Sequence, residues 1–364
     1  MATQEKKLLV GTGKGLLLWQ KEAGSWKLND IFFRGMPVSM LYVDPRHADW
    51  WVGLSHKHWG QKLHVSRNQG KSWEHIPMPQ YPASALLSNG QPANLKRIWI
   101  MEQGGADQPE KLWMGTEPGG LFLSEDRGRH FSLVESLWNH PSRSDENQWF
   151  GAGRDHPFIH SISVNPTDSH HLYLAVSCAG VFESKDGGQS WNPKNQGLIA
   201  AYLPNPHVEV GHDPHRLLMS PSHPEVLWQQ NHCGVFRSAD AGLHWDNVSD
   251  TQGLADYGFA LAIDEQDPLK AWLIPAESDE ERVPKDLRLR VSMTQDGGKS
   301  WQVLAQGLPE EASFGLAFRH GLVKSGADMA FGTNNGNLFV STDEGQHWEA
   351  IHHHLARIDV LAFA

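Results

Sequence analysis

A short phrase recurs along this chain and limits what it can become. At 184–191 it reads SKDGGQSW, or S-x-D-x-G-x-S-W, and it returns as SRNQGKSW (66–73), SEDRGRHF (124–131), SADAGLHW (238–245), TQDGGKSW (294–301) and STDEGQHW (341–348). A degenerate copy, WQKEAGSW (19–26), lacks the acid but keeps the closing tryptophan. The closing aromatics are Trp26, Trp73, Phe131, Trp191, Trp245, Trp301 and Trp348, spaced 47 to 60 residues apart. Self-similarity at such a period is the mark of a repeat architecture. Seven units are present.

The phrase reads as a hairpin turn between two short apolar runs. Asp or Asn hydrogen-bonds its own backbone a few residues on, and Gly accepts positive φ. The Ser and Thr hydroxyls add local bonds. The closing aromatic then buries a large apolar surface between neighbouring sheets. These phrases resemble the Asp-box, or BNR, repeat of sialidases, of other carbohydrate-active propellers and of sortilin-type receptors, within the WD40/YVTN/BNR-like group. Asp126, Asp186, Asp240, Asp296 and Asp343 keep the acid, while Asn68 and Lys21 replace it. The resemblance covers nearly the whole chain and implies a propeller. It serves enzymes and receptors alike, so it speaks to fold more than to function.

The residues between the phrases agree. At 160–193, HSISVNP, HLYLAVS, AGVFES and QSWNP read as four short strands, and HRLLMSP, EVLWQQN, GVFRS and LHWDNV repeat them. Four strands per unit, separated by turn residues, is the pattern of a propeller blade. Residues 7–30 supply three strands of a first blade but no innermost one, and the terminal RIDVLAFA is an apolar strand with nothing after it. Residues 357–364 are therefore expected to complete the first blade and close the ring, leaving no open edge. The expectation is an all-β fold: a single seven-bladed β-propeller over 1–364, with four antiparallel strands per blade.

Composition narrows the function. No apolar run approaches the ~18 residues of a membrane span. The start, MATQEKKLLVGTGKG, has no apolar secretory core, and two cysteines make no disulfide framework. A cytoplasmic location and reduced thiols at Cys178 and Cys233 are expected. The net charge of −11 argues against nucleic acid or an anionic membrane as partner. The 16 tryptophans follow largely from the repeat, whereas the 22 histidines do not.

Blade geometry divides the chain between two faces. The repeated turns lie at one end; the second-to-third-strand turns and the blade-to-blade connections lie at the other. The long segments 77–95, 134–159, 194–214 and 275–289 all belong to this second face, where function concentrates. His160 and His215 occupy equivalent positions at the start of innermost strands and are expected side by side at the channel mouth. Turns of the same blades add Cys178, His232 and Cys233, and nearby loops add Trp149, Arg154, Asp155, His156, His207, Glu209, His212 and Asp213. The candidate ligand-binding set is His160, His215, His232, Arg154, His156, Trp149, Arg34 and Arg216. A divalent metal at the mouth is a candidate cofactor, with His160, His215, His232 and Cys233 as its ligands. The alternative is a hydrogen-bonded polar lining of a wet channel.

The sialidase resemblance implies an early Phe/Tyr-Arg-Ile-Pro motif whose Arg binds a substrate carboxylate. FFRGMP (32–37) offers Phe33, Arg34 and Pro37 with one residue too many. Sialidases normally have six blades, and their Tyr/Glu nucleophile pair is not found. A glycosidase generally needs two carboxyls flanking the scissile bond. Asp155, Glu117, Glu209 and Asp213 are the candidate catalytic residues, with Asp256 and Glu277 on the same face. Three readings follow: a sialidase-like or other carbohydrate-active hydrolase with a small-molecule or carbohydrate ligand, a non-catalytic propeller binding a protein or small ligand, and a metal-dependent enzyme using the His/Cys cluster.

Overall fold

A computed structural model describes residues 6–144, 149–151 and 153–364. Seven four-stranded antiparallel sheets follow one another as blades. The fourth is representative: Phe158–Asn165, Asp168–Ser177, Gly180–Ser184 and Asn192–Pro193 run in order from the channel outwards. The first blade draws on both ends of the described chain. Ile358–Phe363 lies alongside Lys7–Thr12, with Leu8 opposite Phe363 and Val10 opposite Leu361. Among the described residues the only α-helix is Glu135–Trp138, and no helix is long and apolar enough to cross a membrane.

The repeated phrase folds as local hydrogen bonding dictates. The Ser184 hydroxyl donates to Asp186 Oδ1 (2.8 Å) and accepts from the Gly188 amide (2.8 Å), while Asp186 Oδ1 accepts the amides of Gln189 and Ser190. The same serine–carboxylate bond recurs at Asp126, Asp240 and Asp343, with Thr294 as donor at Asp296. Asn68 makes it through its amide oxygen. Glycine is needed twice over at Gly128: φ is +79°, and a Cβ would lie 2.3 Å from the Trp51 ring of the preceding blade. The turn of one blade thus caps the tryptophan of its neighbour. Trp51, Trp113, Trp228 and Trp272 are fully buried between sheets.

A second regularity concerns the channel mouth. The innermost strands of five consecutive blades each carry a bulge or irregularity near their start. It falls between Val38 and Met40, Ile98 and Ile100, Ile159 and Ser161, Pro214 and Arg216, and Gly258 and Leu261. A bulge re-aims the side chain it frees. The residues so placed are Ser39, Trp99, His160 and His215, with Phe259 and Ala260 in the sixth blade.

The long loops are ordered by packing. Arg143 lies 3.7 Å above the ring of Trp138 and 4.8 Å from that of Trp149, so one guanidinium joins two buried indoles. Trp138 in turn packs with Ala85 and Ala93, linking 134–159 to 77–95.

Candidate functional site

The fifth blade builds the centre of the site. Asp213 precedes the innermost strand Pro214–Met219, and its carbonyl accepts the His232 amide (2.9 Å). This fixes the turn His232–Cys233 beside the strand start; Asn231 Oδ1 completes the turn by accepting the Cys233 amide. His215 Nε2 comes within 3.4 Å of Asp213 Oδ2, and His232 Nδ1 lies 3.7 Å from the same oxygen. Ser177 of the fourth blade donates to the other carboxylate oxygen. Burial alone would raise the Asp213 carboxyl. His215, Arg319 and Ser177 outweigh it and hold the group well below the carboxylate range.

His160 and His215 sit at equivalent bulges, and each bonds to a carbonyl of the next blade, but through different nitrogens. His160 Nε2 donates to the Pro214 carbonyl (2.8 Å), and its Nδ1 meets Ser161 Oγ (2.9 Å). Both its nitrogens are occupied, and burial, reinforced by Arg319 and His320, keeps the ring neutral. His215 uses Nδ1 for the Gly258 carbonyl (2.6 Å), which leaves Nε2 turned to Asp213. The ring is stacked on Phe259 at 4.5 Å. One histidine is therefore a bracket between blades, and the other presents a nitrogen to a cavity.

That cavity, of about 210 Å³, is lined by Asp213, His215 and His232 together with Cys178, Tyr202, Phe150, Phe259, Asp279, Arg282 and Arg319. Both cysteines are free thiols; burial raises the pKa of each, and Asp213 adds to the effect.

The charge balance of the channel is unusual. The guanidinium groups of Arg97, Arg154 and Arg319 lie 4.5, 5.4 and 5.6 Å from the ring of Trp99. Arg154 is paired with Glu117. Among the described residues Arg97 makes a 3.4 Å contact to the Ser39 carbonyl, and its Nε, like Arg319 Nε and Arg216 Nε and Nη1, is a buried atom without a hydrogen-bond partner. Burial lowers Arg97 and Arg216 to about 10, so both remain cations at neutral pH. The acid attracting Arg216 is Glu102, whose own pKa burial raises to about 7.

The other sequence candidates are dispersed. Asp155, His156 and Trp149 line a neighbouring cavity of about 230 Å³, and the Trp149 indole donates to Ser142. Glu117 is buried in its ion pair with Arg154. Glu209 and Arg34 are exposed. His212 is buried, its Nε2 bonded to the Val208 carbonyl, and Glu277 is held by Lys285. Cys233 stands outside the group formed by Asp213, His215 and His232. Tyr202, Asp279, Arg282, Arg97 and Arg319 were not among the sequence candidates. Arg319 follows GLAF, a loose copy of an innermost strand, and this weak match was its only trace in the sequence.

No family model matches the chain. An oligoxyloglucan-reducing end-specific xyloglucanase of Emericella nidulans is 20% identical over 330 residues, covering 80% of this chain and 38% of the enzyme. An ancestral GH74 enzyme has a similar fold over 97% of this chain and 40% of its own, with 16% identity and a TM-score of 0.58. The chain thus spans about two fifths of the length of these relatives. YCF48 bound to D1 peptide matches over 93% of this chain and 90% of its own, with 14% identity and a TM-score of 0.56. The chain is a seven-bladed β-propeller with GH74 xyloglucanase-like neighbours.

Proposed function

We propose that this propeller is a carbohydrate-active protein that binds a small anionic sugar derivative at the channel mouth. The observation carrying this reading is the set of buried, unpartnered guanidinium nitrogens on Arg97, Arg216 and Arg319. Of the three, Arg319 lines the cavity described above; a bound carboxylate or phosphate there would supply its missing acceptor, and Arg suits such anions through paired N–H bonds. The cavity, at about 210 Å³, is below the ~300 Å³ at which drug-sized ligand sites begin. It therefore suits one sugar unit better than a xyloglucan chain. Phe150 and Tyr202 offer apolar surface to a pyranose ring. Similarity to a xyloglucanase over most of the chain supports the carbohydrate class. Asp213 and Asp279 line the same cavity as carboxylates, Asp279 being paired with Arg282.

Calorimetric titration of the full chain with hexuronic acids, sialic acid, sugar phosphates and neutral xylose and glucose tests the reading. An anionic sugar is expected to bind and neutral sugars are not, with at least about a tenfold loss in Arg319→Met. Absence of binding at millimolar concentration, or binding indifferent to Arg319→Met, would overturn it. A second reading, a peptide-binding propeller, is supported by the end-to-end fold match to YCF48 bound to D1 peptide. Binding of a short acidic peptide, with no sugar bound, would select it.

A further inference from the structure

The arrangement around Asp213 has a property that an anion pocket does not need. His215 gives its Nδ1 proton to the Gly258 carbonyl at 2.6 Å, so in the neutral ring Nε2 carries a lone pair. That lone pair faces a carboxylate oxygen, itself an acceptor, at 3.4 Å. His232 Nδ1 approaches the same oxygen at 3.7 Å, and the three ligand atoms all lie within 4.8 Å of one another. A metal ion placed among these three atoms would be within reach of all of them.

We infer that Asp213, His215 and His232 hold a divalent transition-metal ion of the zinc class. Zinc bonds to imidazole nitrogen and carboxylate oxygen are ~2.0–2.2 Å, so tetrahedral ligand atoms stand roughly 3.3–3.5 Å apart. The observed 3.4 and 3.7 Å are near that spacing. Two imidazoles and one carboxylate form a recognised donor set for zinc and for non-haem iron, and both leave coordination positions open. Here the open side is the cavity shared with Tyr202, Arg319 and Asp279. Supporting contacts of the kind that orient metal ligands are already present: the Gly258 carbonyl holds His215, and the Ser177 hydroxyl holds Asp213. His160, with both nitrogens bonded inside the protein, is excluded from this set. Filled, the site would combine a Lewis acid with the adjacent guanidinium groups, an arrangement able to bind an anionic oxygen from two sides.

Metal binding is measured without any sugar, so its outcome is independent of the anionic-sugar reading. The full chain, stripped with chelator and desalted, is titrated with zinc chloride and, separately, manganese chloride, and cobalt(II) uptake is followed by its visible absorption. One zinc ion per chain is expected, with a cobalt spectrum of low coordination number. Asp213→Asn and His232→Gln should each weaken binding at least about tenfold. The control is the His353→Ala/His354→Ala double variant, which removes an exposed histidine run and should bind as wild type does. Failure of wild type to bind zinc below about 1 mM, or unchanged binding in both site variants, overturns the inference. So does loss of the ion only in the histidine-run variant. Should Asp213→Asn not fold by circular dichroism, the partly exposed His232 provides the deciding variant.

Discussion

The two ends of the ring are built on opposite principles. At the turn end, six of the seven blades repeat one solution: a hydroxyl, a carboxylate or amide oxygen, and a glycine bonded within a few residues of one another. At the mouth, equivalent positions carry different residues, and their partners come from other blades: His160 reaches Pro214, His215 reaches Gly258, and His320 donates to the His160 carbonyl at 2.8 Å. Turn-end carboxylates are satisfied by nearby amides. Among the described residues, the half-buried Arg97, Arg216 and Arg319 at the mouth each keep a buried nitrogen unmet. Repetition thus marks what holds the blades, and its loss marks where a ligand would act.

The contrast breaks most readily at the turn end. Trp191→Ala removes a buried indole whose Nε1 donates to Ser136. It should cost about 3–5 kcal/mol, read as a lower unfolding midpoint. Affinity at the mouth, measured well below that midpoint, should be unchanged; a selective loss of binding would show that the two ends are coupled.

A second test uses acid. Burial would raise the Glu183 carboxyl, but hydrogen bonds from His171, Tyr173 and Lys194 bring it to about 2. A carboxylate depressed in the folded state stabilises it fully above the unfolded pKa of ~4.3, and the contribution, about 3 kcal/mol, disappears as pH falls towards 2. Urea midpoints between pH 6 and pH 2.5 should therefore fall more steeply for wild type than for Glu183→Gln. Parallel curves would count against the network.

Arg216→Met sharpens the comparison from the other side. Removing a half-buried guanidinium with two unmet buried nitrogens should raise the midpoint of ligand-free protein, by about 1 kcal/mol at most, while weakening anion binding through the lost positive charge. Destabilisation would mean that the guanidinium is already compensated and that the anion site lies elsewhere. Asp186→Ala should do the reverse, costing about 1–2 kcal/mol through its lost turn acceptors with no change at the mouth. The smallest effects belong to Arg34→Ala and Glu209→Ala, both exposed, which should stay within ~0.5 kcal/mol and leave binding intact. Loss of binding in either would return the site to the outer loops.

How much could be read in advance follows the same division. The turn phrase is legible because its chemistry is local: Ser184, Asp186 and Gly188 determine one another. The blade count and the role of the last strand follow from it. The equivalence of His160 and His215 was also visible as a spacing before a proline. What spacing could not reveal is which ring nitrogen reaches the next blade, and that rotamer decides whether a histidine is a bracket or faces a cavity. Arg97 and Arg319 were hidden for a different reason. They converge on Trp99 only because a bulge turns that indole among blades whose innermost strands match the repeat poorly.

The pairing of Lys7–Thr12 with Ile358–Phe363 has a kinetic meaning as well as a geometric one. A chain made at about 5–20 residues per second exposes the inner edge of its first blade for tens of seconds before the partner strand exists. During that interval the edge is a template for mispairing. Six blades can form as they emerge, each from contiguous chain. The seventh assembly event must join Ile358–Phe363 to Lys7–Thr12, a strand synthesised well over three hundred residues earlier. Closing that distance carries the entropy of a very long loop and should be the slow step of folding. Once made, the clasp ties the two ends of the described chain together, so that fraying from either end must break the same seam.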